Sequence, residues 1–124
     1  MMKKVETTKA PVAIGPYSQA ISFNGILFSS GQIPIDPATG EIAGTTMKEQ
    51  AERVMKNLQA VLETDGKSFE SVVKTTCFLS DMGDFAEFNE VYGAYFTGRP
   101  ARSCVAVKTL PKNVLCEVEV IAVS

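Results

Sequence analysis

The chain has 124 residues, 45% hydrophobic and 21% charged, a size and balance that let one domain bury its core without disulfides or a structural metal. Its 12 Lys and Arg against 14 Asp and Glu give a formal net charge of -2 and a pI near 5.1, so the basic stripe on which phosphate-driven nucleic-acid binding depends is missing. There is no histidine, which excludes Ser-His-Asp and Cys-His catalysis within the chain and removes the commonest metal ligand.

The first residues, Met-Met-Lys-Lys-Val-Glu-Thr-Thr-Lys-Ala-Pro, contain no apolar h-region and do not read as a signal peptide. No stretch has membrane-spanning length, and a cytoplasmic location is expected. Residues 4–7 suit a short first strand, and residues 17–23 alternate as a second. Asn24-Gly25 between two apolar runs predicts a hairpin. The returning strand covers 26–33 and is interrupted by Gly31, as at a β-bulge or a close backbone approach. Pro34 to Gly40 is turn chemistry. Thr46-Met47-Lys48-Glu49 fits a capping box, and Ala51, Val54, Met55, Leu58, Val61 and Leu62 follow at helical spacing as far as Asp65-Gly66. Residues 71–79 form a β-branched strand. A second helix begins near Asp84, with a Phe85, Phe88, Val91, Tyr92, Tyr95, Phe96 stripe that is core packing, and stops at Gly98. Strands at 102–108 and 114–123 complete the chain. With no repeat or linker, residues 1–124 are expected to be one domain of α+β class, order β-β-β-α-β-α-β-β, with both helices on one face of a mixed sheet. The other face needs cover, which a small protein often obtains by oligomerising.

Cys77, Cys104 and Cys116 form an odd set without C-x-x-C spacing, so neither a disulfide framework nor a zinc site is expected. Cys77 and Cys116 read as core residues, and Cys104 has no partnering base to make it a nucleophile. The last strand is more informative. Val114, Cys116, Val118, Val120 and Ala122 share one face, while Glu117 and Glu119 interrupt the apolar stripe on the other. Pairing this strand with its predecessor as a hairpin, Val105 opposite Cys116, sets Arg102 on the same face as both acids. Such a cluster reads equally as a structural ion pair or as a substrate site. In the second case Arg102 grips a carboxylate bidentately and a Glu moves a proton to or from water.

Ala-Ile-Gly-Pro-Tyr-Ser-Gln-Ala (13–20), Ser-Ser-Gly-Gln-Ile-Pro (29–34), Val-Lys-Thr-Thr-Cys-Phe-Leu-Ser-Asp-Met (73–82), Pro-Ala-Arg-Ser-Cys-Val (100–105) and the ending 110–123 closely resemble the RidA (YjgF-like) reactive intermediate deaminases. The likeness runs in order along nearly the whole chain. It implies a chorismate-mutase-like fold assembled as a homotrimer, with sites in the clefts between subunits. It also implies hydrolysis of 2-aminoacrylate-type enamines and of imines such as 2-iminopropanoate and 2-iminobutanoate to 2-ketoacids and ammonia, with no metal or organic cofactor. By the same resemblance Arg102 holds the substrate carboxylate and Glu117 holds or activates water. The backbone at Gly31 and Cys104 hydrogen-bonds the substrate, Tyr17 and Ser30 line the pocket, and Asn89 is a further polar group. Thr97-Gly98-Arg99-Pro100 is shorter than in some relatives, which bears on the cleft mouth. Competing functions are a non-catalytic ketoacid-binding or regulatory trimer and, disfavoured by the charge balance, a ribonuclease or translation inhibitor.

Overall fold

A computed structural model describes residues 1–124. Three strands open the chain: β1 (Lys3–Val5), β2 (Ala20–Phe23) and β3 (Ile26–Ser29). They are followed by α1 (Met47–Thr64), β4 (Val72–Leu79), α2 (Phe85–Tyr95), β5 (Ala101–Ala106) and β6 (Cys116–Val123). The order expected from the sequence is the order observed, and the strands form one mixed sheet, β1-β2-β3-β6-β4-β5.

Local chemistry accounts for the boundaries. Asn24 and Gly25 both take positive φ (52° and 77°), as a two-residue hairpin turn requires. The Thr46 side chain accepts from the Glu49 amide while Glu49 reaches back to the Thr46 amide, so α1 begins on a complete capping box. Its buried stripe matches the predicted one and packs over β6. Phe88, Val91 and Tyr92 of α2 join the same core. On the sheet, the helices cover Thr75, Cys77 and Leu79 of β4 and Cys116, Val118, Val120 and Ala122 of β6, all buried. Past the C-terminal end of α1, Asp65 receives Lys67 at 2.7 Å and Lys3 at 2.9 Å, which ties the helix to β1. Burial opposes ionisation of Asp65, but hydrogen bonds from the two ammonium groups hold its carboxyl at about 2.

The opposite sheet face carries Glu117, Glu119 and Ile121 beside Thr76 and Phe78 and is uncovered. Phe23 of β2, Phe28 of β3 and Val105 of β5 are 43%, 45% and 49% exposed there.

Two expectations are corrected. Residues 17–19 are loop, and β2 starts only at Ala20. The reason is the Gln19 side chain, which turns inward and hydrogen-bonds Thr7, Ala10 and Pro11 backbone groups, fastening the preceding loop instead of extending the strand. The second correction is topological: β5 and β6 do not pair. β5 lies parallel to β4 at the sheet edge, and β4 separates it from β6. Leu110–Asn113 is no tight hairpin turn but a turn closed by the Asn113 amide on the Leu110 carbonyl, within a longer connection that carries the chain past the end of β4. The alternation in β4 is that of a central strand with a neighbour on each side, and the β4–α2–β5 crossover supplies the parallel one.

Candidate active site

The register decides where the predicted site residues fall. Arg102 stands beside Thr75, whose partner on β6 is Val120, so Arg102 shares the helix-covered face with Thr75 and Cys104. Glu117 is opposite Phe78 and Glu119 opposite Thr76, on the uncovered face. The acids do share a face, as predicted, but Arg102 is on the other one. The expected Arg102–Glu117–Glu119 cluster does not exist within one chain.

Each half is nevertheless built. On the uncovered face, three residues of the β3 segment (29–31) stand opposite two of β6 (119–120), between the pairs Phe28–Ile121 and Gln32–Val118. This is a β-bulge. The Ser29 hydroxyl fills the gap by accepting the Val120 amide at 2.9 Å, and Gln32 resumes the ladder with Val118. The bulge exposes the α-carbon of Gly31 to the Glu117 side chain. A β-carbon there would lie 2.1 Å from Glu117 Oε2, so only glycine leaves room for the carboxylate. Burial, and then the neighbouring Glu119 charge, push the Glu117 carboxyl above the ordinary glutamate range. The shift makes the carboxylate a better proton acceptor than an ordinary glutamate.

On the helix-covered face, the Arg102 guanidinium lies 4.6 Å from the Tyr92 ring centroid and 5.3 Å from that of Phe85, and donates to Asn89 Oδ1 at 2.7 Å. Aromatic faces and an amide fix its plane, and no carboxylate of the chain pairs with it. Most of its donor fork is left for an anion at the open β5 edge. The Cys104 thiol sits beside Cys77 across the strands; burial pushes it up, although the Arg102 charge opposes this, so it is a poor nucleophile. Cys77 and Cys116 are core residues, with thiols pushed by burial to about 12.

Ser30 donates its hydroxyl to the Ser18 carbonyl at 2.6 Å and its amide to Gln19, so its side chain is committed to the loop that carries Tyr17. Tyr17 is half exposed and, with Gly31, borders a cavity of about 150 Å³. The structure thus brings Tyr17, Ser30, Gly31 and Glu117 to one region, and Arg102, Asn89 and Cys104 to another.

The family described as endoribonuclease L-PSP matches residues 7–124. The chain belongs to that family, the YjgF/RidA group. A RutC family protein of Pyrococcus abyssi is 55% identical over 94% of this chain and 92% of its own length. Among solved structures, YyfA of the conserved Rid protein family from Yersinia pestis superposes with a TM-score of 0.97 at 48% identity, covering all of both chains. TdcF of E. coli, crystallised with bound serine, gives 0.94 at 44% identity over 98% of each chain. No helix of the chain is long and apolar enough to cross a membrane.

Three supporting residues of this YjgF/RidA chain escaped the sequence reading. Gln19 fastens the Tyr17 loop, as described. Asn57, fully buried on α1, donates to the carbonyls of Ile33 and Ile35 and fixes the segment that follows the bulge. Lys112, at φ 56° and ψ 20°, borders the same cavity as Tyr17 and Gly31. A polar residue at a helical core position was the available signal for Asn57; the conformation of Lys112 had none.

Proposed function

We propose that the chain, as one domain of chorismate-mutase-like fold, is a cytoplasmic homotrimeric hydrolase that converts reactive 2-enamino and 2-imino acids to 2-ketoacids and ammonia. The observation that carries this reading is an arginine with a free donor fork at an open sheet edge, matched by a raised-pKa glutamate on the opposite face. Each is half of a carboxylate-plus-water site, and a second copy packed on the apolar uncovered face brings the halves together. Membership of the YjgF/RidA family supports it, as does serine, a small carboxylate-bearing molecule, in the E. coli relative.

In this reading Arg102, planed by Asn89 and Tyr92, binds the substrate carboxylate. Glu117 accepts a proton as water attacks the iminium carbon and returns it to the nitrogen of the carbinolamine; the C–N bond then breaks to release ammonia as the carbonyl forms, and the hydroxyl proton passes back to Glu117. Backbone groups at Gly31 and Cys104 and the Tyr17 and Ser30 region complete the cleft. An iminium carbon is already electrophilic, so positioning water and substrate supplies much of the rate, and effective orientation contributes on the order of several kcal/mol. No metal or organic cofactor enters the scheme.

The test generates an imine in situ with an amino-acid oxidase or a serine/threonine dehydratase, in the presence of semicarbazide. Wild type suppresses semicarbazone formation in favour of free ketoacid, and Arg102→Ala does not. Trapping unaffected by wild type refutes the deaminase and leaves a ketoacid-binding trimer. RNA binding that weakens steeply with salt is the corresponding sign of the ribonuclease alternative.

A further inference from the structure

The cavity beside Gly31 has a built shape of its own. Val12, Ile14 and Tyr17 come to it from the Gln19-fastened loop, Gly31 and Ile33 from the bulge and the segment after it, and Lys112 from the connection before β6. Its volume is about 150 Å³. A cavity of roughly that volume is large enough to hold a benzene ring, and apolar surface predominates in the lining although Gln19 and Gln32 also border it. Val12 and Ile14 are 66% and 71% exposed, so the chain keeps large apolar side chains in solvent at this place instead of burying them. The far wall is held in an unfavourable conformation: Lys112 and Asn113 are consecutive non-glycine residues at φ 56°. Such backbone persists where its surroundings enforce it, and it clusters at ligand sites.

The cavity and the Glu117 carboxylate meet at Gly31, one bordering the residue and the other lying across its α-carbon. We infer that this cavity is the subsite for the substrate's side chain, and that it selects 2-imino acids with branched aliphatic side chains of about four carbons over those with a methyl group. The inference rests on the deaminase reading above. A substrate with its imine carbon at Glu117 and its carboxylate at Arg102 has one substituent left, and the cavity borders Gly31, the residue across which Glu117 lies.

The test compares imines made by an amino-acid oxidase from alanine, leucine and phenylalanine, each in competition with semicarbazide. Each methylene in an apolar pocket discriminates by on the order of tenfold or more. Wild type is therefore expected to favour the isobutyl over the methyl imine by at least about tenfold in kcat/KM. Val12→Trp, at an exposed position, fills the cavity and brings the isobutyl-to-methyl ratio down toward unity. Ile33→Ala enlarges it and raises the benzyl-to-isobutyl ratio. A wild type with equal or reversed preference overturns the subsite, whether or not the variants fold. So does a ratio that neither variant moves, the outcome expected if a side chain of a second copy occupies the cavity. Turnover of none of the imines removes the deaminase reading itself, whereas turnover without size preference removes the subsite alone.

Discussion

Replacing Gly31 by alanine moves the Glu117 carboxylate with little change elsewhere. The added β-carbon would lie 2.1 Å from Oε2, 2.8 Å from Cδ and 2.9 Å from Cγ of Glu117. All three atoms belong to the outer part of a flexible side chain, so the carboxylate swings away while the bulge keeps its backbone. The rotamer strain is about 0.5–1.5 kcal/mol, and it is partly offset by the roughly 0.4–1 kcal/mol that alanine removes from the entropy of the unfolded chain. Net stability should therefore change by no more than about 1 kcal/mol, read as the midpoint of chemical denaturation. Activity should change far more, because a displacement near 1 Å at a reacting group costs on the order of 10²-fold. Semicarbazide competition gives kcat/KM for wild type, Gly31→Ala, Glu117→Gln and the double variant. If glycine acts by leaving space for Glu117, the losses are not additive, and the double variant resembles Glu117→Gln. Retention of activity within about threefold, far short of the 10²-fold misplacement cost, or fully additive losses, refutes the steric argument and leaves Gly31 as a backbone contact to substrate.

The pH profile follows from the raised Glu117 pKa. As the base it must be ionised, so the acid limb of kcat/KM lies above the ordinary glutamate value of about 4.3; Glu119→Gln, by removing the like charge, moves that limb down, and an unmoved limb refutes the coupling. Asp65 bears on stability with the opposite sign. Its pKa is depressed from 3.8 to about 2, so its contribution, roughly 2 kcal/mol, is present above pH ~4 and lost as pH falls toward ~2. Asp65→Asn also strands the Lys67 ammonium, whose side chain is 4% exposed, and should cost about 3–5 kcal/mol at pH 7; denaturation curves that coincide for the two proteins rule this out.

Much of this was legible in the chain. The capping box at Thr46, the Asn24-Gly25 hairpin, the helical stripe from Ala51 to Leu62 and the interruption at Gly31 are local signals, and local geometry honoured each of them. The pairing of β5 was not legible, because strand neighbours are chosen by a crossover and by which strands stay central, neither of which is written in the alternation of β5 itself. Arg102 and Val105 alternate in either topology; what reverses the face of Arg102 is that Val105 lies with Phe78 and Glu117 on the uncovered face, 49% exposed, and not with Cys116 under the helices. Tyr17 was misplaced for a related reason. The alternation around it is compatible with a strand, but Gln19 spends its amide on Thr7, Ala10 and Pro11, and the chain before it loops.

The failed pairing strengthens the case for a site shared between copies. Had Arg102 and Glu117 met on one face, an ion pair would have satisfied both, and the bland structural reading would have sufficed. Instead Arg102 keeps most of its fork free beside Tyr92, and Glu117 is held partly buried, beside a like charge, over a glycine whose missing side chain leaves it room. Keeping a carboxylate in that condition is unfavourable to stability wherever it is ionised. A fold under no functional demand has a cheap alternative in glutamine at 117, or a side chain at 31 that closes the gap. The apolar residues around the two acids, Phe28, Phe78, Val105 and Ile121, are those that a second copy would cover. Covering them would dehydrate Glu117 further, which raises its pKa, and carry an arginine from the neighbouring edge toward it, which opposes that rise and pairs the charge.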